Sequence, residues 1–200
     1  MEGYAVRLEG GDFARSRERL EAIVAQLSAP QVRQSTHAEL EEQIGAAGRE
    51  LMRTLLQDHL DLRTVREKRQ SARTGADQVE RRFVERCHTR QLATVFGEVT
   101  VERLAYRAKG ARNLYPADEV LNLPVGLHSH GLRKLAALEA ARGSFTAASA
   151  AIARATGCSL GKRQVEQLAQ AAAVDIDAFY AAVRRPQASL VADVLVMSRP

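Results

Sequence analysis

The stretch of residues 143–173 constrains the fold of this chain more than any other, because it has the pattern of two short helices joined by a tight turn. Gly143 closes a preceding helix, and Ser144 can cap the next one with its hydroxyl. Gly157 ends that helix, since glycine readily adopts the left-handed conformation of a helix C-terminus, and a second helix begins near Gly161. The residues predicted to face inward are Ala147, Ala151 and Ile152 in the first helix and Val165, Leu168 and Ala172 in the second.

The front of the second helix carries Lys162, Arg163, Gln164 and Gln167 on its outward side. Lysine and arginine suit guanine edges and phosphates, and glutamine suits adenine. The pattern is therefore typical of a DNA-reading helix-turn-helix, although a helical hairpin with a solvated basic turn would also produce it. Two cations of the preceding helix could contact the same DNA backbone, Arg133 and Lys134.

Composition narrows the classes of partner. The net charge is +5, from 29 basic against 24 acidic residues, which is compatible with a polyanion. Aromatic residues make up only 4% of the 200 residues, which argues against base-stacking platforms for single strands. Cys87 and Cys158 lie too far apart to indicate a disulfide scaffold. No apolar run approaches 18 residues, so we expect a cytoplasmic, nucleoid-associated protein without a membrane partner.

The N-terminal part, residues 1–62, is predicted to be a helical hairpin or a dimerisation arm. Residues 1–11 show no clear period, and a first helix is expected from residue 12 to about residue 28. A second is expected from Thr36, where Thr36 and Glu39 fit a capping box, to about Leu60. Gly45 and Gly48 weaken its middle by up to about 1 kcal/mol each relative to alanine.

Charge and then alternation mark the next two segments. Residues 63–87 are predicted as a charged linker, with a basic arm along phosphates as the alternative. Residues 88–127 are predicted as a β-hairpin and a packed loop, with strands at 90–96 and 98–106 about Gly97. Leu92, Thr94 and Phe96 are expected on one face of the hairpin, and Val99 and Val101 on the returning face.

Residues 128–186 are predicted to hold the helix-turn-helix, whose last helix runs on to Pro186 over roughly 36 Å. Residues 187–200 read as a buried strand that contains Asp193. A carboxylate in such a strand is costly unless it is paired or binds a cation, but one carboxylate does not make a Mg²⁺ site. The histidines do not pair with cysteine at zinc-ligand spacing. The residues therefore offer no complete catalytic or metal-binding set.

Several blocks of the sequence resemble a known family. The runs LLQDHLDLR, TVFGEVTVERLAYR, NLYPADEVLNLP, HSHGLRKLAALEAARGSF and TGCSLGKRQVEQL are similar, in this order, to the N-terminal half of bacterial insertion-sequence transposases of the ISKra group. The similarity covers most of residues 40–190. It implies a DNA-binding front half that recognises the ends of a mobile element, and an RNase H-like catalytic half that cuts and joins strands with three carboxylates and Mg²⁺.

The resemblance also implies a role for Asp193, which occupies the place of the first catalytic carboxylate. The family's DGKG motif is absent, because VLVMSRP follows Asp193 directly. We therefore expect a truncated or degenerate copy without cofactor or catalysis. The predicted fold is mainly α with one β-hairpin, a helix-turn-helix and the start of a truncated RNase H-like strand.

The predicted function is recognition of double-stranded DNA at the terminal repeats of the element, with homo-oligomerisation as a further expectation. Two alternatives stay open. A fragment that binds element ends without cleaving them could act as a DNA-binding regulator of its full-length relative. The N-terminal helical pair and the long last helix could instead form a self-association module.

Overall fold

The computed structural model describes residues 12–183 of the chain. Within them the fold is mainly helical, with two small antiparallel two-stranded sheets. The helices are α1 (Ala14–Ser28), a 3-10 helix (Pro30–Gln34), α2 (His37–Arg66), α3 (Pro116–Val120), α4 (His130–Arg142), α5 (Phe145–Thr156), α6 (Lys162–Ala172) and α7 (Ile176–Ala182). The strands are β1 (Arg73–Thr74), β2 (Glu80–Arg81), β3 (Phe83–Thr94) and β4 (Gly97–Arg107).

The predicted N-terminal pair of helices is confirmed. Helix α2 begins after Thr36, whose side chain accepts from the Glu39 N–H while the Glu39 carboxylate accepts from the Thr36 N–H. This is the predicted capping box. The helix ends at Arg66 instead of near Leu60, because side chains of its last turns bond the neighbouring strand β4, as Thr64 does at the Glu102 carbonyl (2.7 Å).

A buried carboxylate joins α1 to α2. Asp58 is 2% exposed and accepts from Arg15 Nε (2.7 Å), from the Ser16 N–H (3.0 Å) and from Ser16 Oγ (2.6 Å). Burial on its own would raise the pKa of Asp58, but the hydrogen bonds from Ser16 and Arg15 outweigh it and lower that pKa. Polar contacts therefore fix the antiparallel pairing of the two helices, while Leu20 and Val24 of α1 stay half exposed.

Residues 63–87, predicted as a charged linker, are in part regular structure. They contain the end of α2, the β1–β2 pair and the first residues of β3. Arg81 is buried, since its guanidinium donates to the Asp77 carboxylate (2.5 Å) and to the Arg112 carbonyl (2.9 Å). The charge run misled the prediction because a paired, hydrogen-bonded arginine can be buried.

The predicted β-hairpin is confirmed and is longer than expected. Strands β3 and β4 pair antiparallel from Phe83↔Arg107 to Thr94↔Gly97, with a bulge between Glu85 and His88. Of the residues predicted on the first inner face, Leu92 and Thr94 are buried. Phe96 is not: it lies in the turn and is 40% exposed, because the strand ends two residues before it.

One apolar core lies between α2 and the hairpin. Val99 and Val101 are buried, as predicted, together with Leu60 of α2. The loop after β4, predicted to pack onto its neighbours, contributes Leu121 and Leu123 to the same cluster. The loop is fixed by Arg103, whose guanidinium donates to the Asp118 carboxylate and lies 4.1 Å from the centre of the Tyr115 ring.

A second core lies between α4, α5 and α6. Helix α4 begins with Ser129 as its N-cap. Leu132 and Ala136 are buried, whereas Leu138 is 49% exposed, because it lies on the other side of the helix from that pair. The buried residues that form this core are Leu132, Ala136, Ala148, Ile152, Leu160 and Val165.

The predicted long last helix is wrong. Helix α6 ends at Ala172, residues 173–175 form a turn, and α7 begins at Ile176. None of residues 171–183 is buried, so no packing supports a continuous helix, and Val174 and Asp175 are weak helix formers. The predicted strand at 187–200, with Asp193, and residues 1–11 lie outside the described residues. Within residues 12–183, no helix combines the length and apolar character needed to cross a bilayer.

The left-handed residue that ends α5 gives a test of the backbone. Gly157 has φ +73° and space for a methyl group, whose nearest neighbour would be Arg49 Nε at 4.0 Å. We expect Gly157→Ala to lower the free energy of unfolding by about 1 kcal/mol, the cost of left-handed backbone in an L-residue. Gly48→Ala is the matched control, because Gly48 is helical with nothing within 4 Å. It should raise that free energy by up to about 1 kcal/mol. Equal effects in urea denaturation would contradict this account.

The Asp58 contacts predict an acid dependence. The pKa of Asp58 is lowered in the fold from 3.8, so its contribution is complete above pH 3.8 and is lost as the pH falls through the folded-state pKa. We expect Asp58→Asn to lower the free energy of unfolding by about 1–3 kcal/mol at pH 7, and the difference from wild type to shrink below about pH 4. Asp12→Asn, which breaks the exposed pair with Arg66, should cost less than about 1 kcal/mol. A pH-independent difference for Asp58→Asn would contradict the assignment.

Candidate nucleic-acid interface

Hydrogen bonds fix both ends of α5 and the short turn that joins it to α6. The Ser144 hydroxyl accepts from the Ala147 N–H (3.2 Å) and caps α5, as predicted. At the other end Gly157 is left-handed, as predicted, and the Cys158 N–H donates to Thr156 Oγ1 (3.0 Å). Ser149 of α5 also donates to the Leu160 carbonyl in the turn. The relation of α6 to α5 is therefore fixed by the turn itself.

The inner faces of α5 and α6 differ in part from the prediction. In α5 the buried residues are Ala148, Ile152 and Thr156, whereas Ala147 is exposed and Ala151 half-buried. The buried stripe thus repeats every four residues from Ala148. The sequence could not distinguish this face from its neighbours, because nearly every position of α5 carries a small residue. In α6 Val165 is buried and Leu168 packs on the core, but Ala172 is exposed, because it lies in the last turn, beyond the helices that cover the core.

The same turn is attached to the tip of the hairpin. Cys158 Sγ donates to the Thr94 carbonyl at 3.1 Å. Just before α4, the Ser129 N–H donates to the Ala93 carbonyl and the Ala93 N–H donates to the Leu127 carbonyl, both at 2.8 Å. These contacts were not foreseen, and the sequence carries no signal for them because the partners lie far apart in the chain. They hold the start of α6 against the tip of β3 and β4.

The first two turns of α6 present three side chains to solvent. Lys162, Arg163 and Gln167 are exposed, and within residues 12–183 none of them has a hydrogen bond or ion pair through its side chain. The opposite side of the helix carries the buried Val165. Free N–H groups and the helix dipole at an N-terminus also favour a negative partner.

Gln164, the fourth residue predicted to read bases, contacts its own helix. Its Oε1 accepts from the Gly161 N–H at 3.0 Å. It thus satisfies one of the N–H groups that a helix leaves free at its start. The Gln164 side chain therefore stabilises the first turn of α6. A contact with a base would have to replace its hydrogen bond with the Gly161 N–H.

The two α4 cations differ in freedom. Arg133 is half-buried, and its Nε donates to the His128 carbonyl (3.1 Å), whereas Lys134 is exposed. Burial first, and then the charge of Arg133, lower the pKa of His128, so this histidine is neutral at pH 7. Arg154 on α5 is a further exposed cation that the sequence reading missed. The sequence did contain a signal for Arg154, because it is the one charged residue in a helix of mostly small residues and has no acidic neighbour there.

Most of the excess positive charge of the chain lies in this part. Residues 128–172 contain six Lys or Arg and two Glu, against a net charge of +5 for all 200 residues. One of the six, Arg142, pairs with Glu139. The surface of the three helices is therefore positive, and Lys162 and Arg163 lie at the start of α6.

No family model matches the chain, and no curated protein matches it. The resemblance to ISKra transposases therefore stays a prediction. Within the described part of the chain, no three His, Cys, Asp or Glu side chains come together as a metal site would need.

The Gln164 contact generates a test of its role. We expect Gln164→Ala to lower the free energy of unfolding by about 0.5–1 kcal/mol, because the Gly161 N–H loses its partner. Gln167→Ala is the matched control on the same helix, since the Gln167 side chain is exposed. It should leave stability unchanged or slightly higher, since alanine is the better helix former. Thermal unfolding of the two variants compares them directly, and a larger loss for Gln167→Ala would reverse the assignment.

Proposed function

We propose that this chain is the DNA-binding portion of an insertion-sequence transposase, and that α5, the turn and α6 act as a helix-turn-helix that recognises the ends of the element. One observation carries the proposal. The first two turns of α6 offer the exposed Lys162, Arg163 and Gln167, while Val165 and Leu168 pack on α4 and α5. A helix so supported on one side and basic on the other fits a major groove.

The contacts divide by chemistry. In the proposed complex Arg163 and Lys162 reach guanine edges or phosphates, and Gln167 reaches adenine. Lys134 and Arg154 contact phosphates, which orient a protein without reading sequence. Arg133 supports the loop before α4 through the His128 carbonyl and contributes charge at the same surface.

The proposal concerns binding and not strand cleavage. In the family that the sequence resembles, cleavage requires three carboxylates and Mg²⁺. Asp193, the one candidate ligand, lies outside residues 12–183. No step through Mg²⁺ is therefore derived for this chain.

Self-association is the second candidate function, because of one feature of the structure. Large apolar side chains follow α6 with little cover, among them Val174 (76% exposed) and Phe179 (62% exposed). Together with Leu20 and Val24 of α1 they could bury against a second copy. A DNA-binding regulator would use the same α6 contacts at a promoter instead of at element ends.

Fluorescence anisotropy tests the three functions together. The purified chain is titrated with duplexes from the ends of its parent element, with a duplex from the promoter of that element, and with shuffled duplexes of equal length and composition, across a salt series. Preference for the native ends, with affinity falling as salt rises, supports the proposal. Preference for the promoter supports the regulator. Association of the chain that salt does not affect, without DNA binding, supports the self-association module.

Arg163 provides the sharpest variant. If it grips a guanine, Arg163→Ala should cost about 1–3 kcal/mol of binding free energy on the native ends and relax the preference over shuffled DNA. Arg33→Ala is the control, because Arg33 is an equally exposed arginine in the 3-10 helix after α1. It should change affinity little. Equal losses for Arg163→Ala on every duplex would make Arg163 a phosphate contact instead.

A further inference from the structure

A concave surface of the described residues lies away from α6. It is a cleft of about 420 Å³ between the end of α2, strand β4 and α3. Its floor is apolar and includes Leu60, Val101 and Leu121. The Gln70 N–H donates to the Tyr106 hydroxyl at 2.9 Å and attaches the segment after α2 to this floor.

Cations line the rim of the cleft. They are Arg63, Arg66, Lys68 and Arg73, with Arg69 next to them in the chain. The cleft also contains Glu67, whose carboxylate is turned to accept from the Leu104 N–H (2.9 Å), and Glu102. The four cations outnumber the two carboxylates, so the lining of the cleft has a net positive charge even when both carboxylates carry theirs.

Two of the rim cations differ from three paired arginines of this end of the molecule. Arg81, Arg82 and Arg107 are paired with carboxylates. Within residues 12–183, Lys68 and Arg73 have no ion pair and no side-chain hydrogen bond, and both are exposed. Cations on a solvated surface are usually paired with acids, so two neighbouring cations that are left without such a pair favour an anionic partner.

Stabilisation of the helix end explains only part of the group. Arg63 and Arg66 lie in the last turn of α2, where a cation interacts favourably with the helix dipole. Arg66 is also paired with Asp12. Lys68 and Arg73 come after the helix has ended, and the effect of the dipole is confined to the last turn.

Strand β4 sets the separation between this cleft and α6. Gln164 and Gly97 line one depression at the tip of the hairpin, and Tyr106 lines the cleft at the other end of β4. At about 3.3 Å per residue, the strand from Gly97 to Tyr106 spans about 30 Å. Duplex DNA repeats every 34–36 Å or so, and the two surfaces are thus separated by nearly one helical turn.

We propose that the rim of this cleft, above all Lys68 and Arg73, is a second surface for the phosphate backbone of duplex DNA, about one turn away from the groove that α6 enters. The proposal rests on the proposed DNA-binding function and extends its footprint. The surface reads no bases. It adds affinity that does not depend on sequence, since phosphate contacts position a protein without specifying a site.

The test compares two double variants of equal charge. Lys68→Ala with Arg73→Ala removes two rim cations, and Arg17→Ala with Arg33→Ala removes two exposed cations of the N-terminal helices. Each protein is titrated by fluorescence anisotropy with native-end duplexes of about 8 and about 30 base pairs, over about 50–200 mM salt, because about 8 base pairs at about 3.4 Å each are about 27 Å long. Thermal unfolding checks that each variant is folded, and Lys68→Glu alone serves as a second rim variant.

On the long duplex, loss of two phosphate contacts should make the slope of log K against log salt shallower by about 1.8. Affinity at the lowest salt should fall about tenfold relative to the N-terminal control. On the short duplex, which cannot span both surfaces, the two double variants should bind alike. Lys68→Glu should act in the same direction as the rim double variant.

The outcomes separate this inference from the proposed function. A long-duplex affinity that falls equally in both double variants overturns the rim surface and leaves the α6 proposal standing. A loss in the rim variants without any loss in Arg163→Ala supports the rim surface and overturns the assignment to α6. Absence of DNA binding by the wild-type chain overturns both.

Discussion

The edges of the β3–β4 hairpin are the constraint on which the rest of the fold depends. A two-stranded hairpin is marginal alone, and its outer edges leave N–H and C=O groups unpaired. Along β4, the side chain of Gln57 bonds both the N–H and the carbonyl of Thr100 (2.8 and 2.9 Å), and Glu67 accepts from the Leu104 N–H. Along β3, the segment before α4 pairs with Ala93. The contacts along the β4 edge therefore position α2 against the hairpin, and the contacts along the β3 edge position the three helices α4, α5 and α6.

This arrangement makes the hairpin a rigid spacer between two basic surfaces. The turn before α6 is fixed to its tip through Cys158 and Thr94, and the cleft is fixed to its other end through Gln70 and Tyr106. A change in one surface need not move the other, because the connection between them is a ladder of backbone hydrogen bonds with one bulge, between Glu85 and His88. Free energies of binding at the two should therefore be close to additive.

Local signals in the sequence sufficed for most elements but not for how they meet. The Thr36 capping box, Gly157 and the alternation around Gly97 each depend on neighbours in the chain, and each was predicted. Arg81 was not, because its burial depends on the distant Arg112 carbonyl. The break after Ala172 was missed because the apolar period continues although no tertiary partner supports it. For the candidate site, the sequence predicted which residue types lie at the start of α6. The capping bond of Gln164 and the absence of acidic partners at Lys68 and Arg73 among the described residues were visible only in the fold.

The two surfaces also divide the energetics of the proposed complex. Affinity for DNA comes largely from counterion release at phosphates, and discrimination comes from base edges. Because Gln164 is engaged in starting α6, few side chains of that helix remain for bases, with Arg163 and Gln167 foremost. A helix with so few reading residues discriminates sites only when something else holds the duplex in register. Phosphate contacts about one turn away would supply that register, so the cleft positions the duplex and α6 discriminates between sequences.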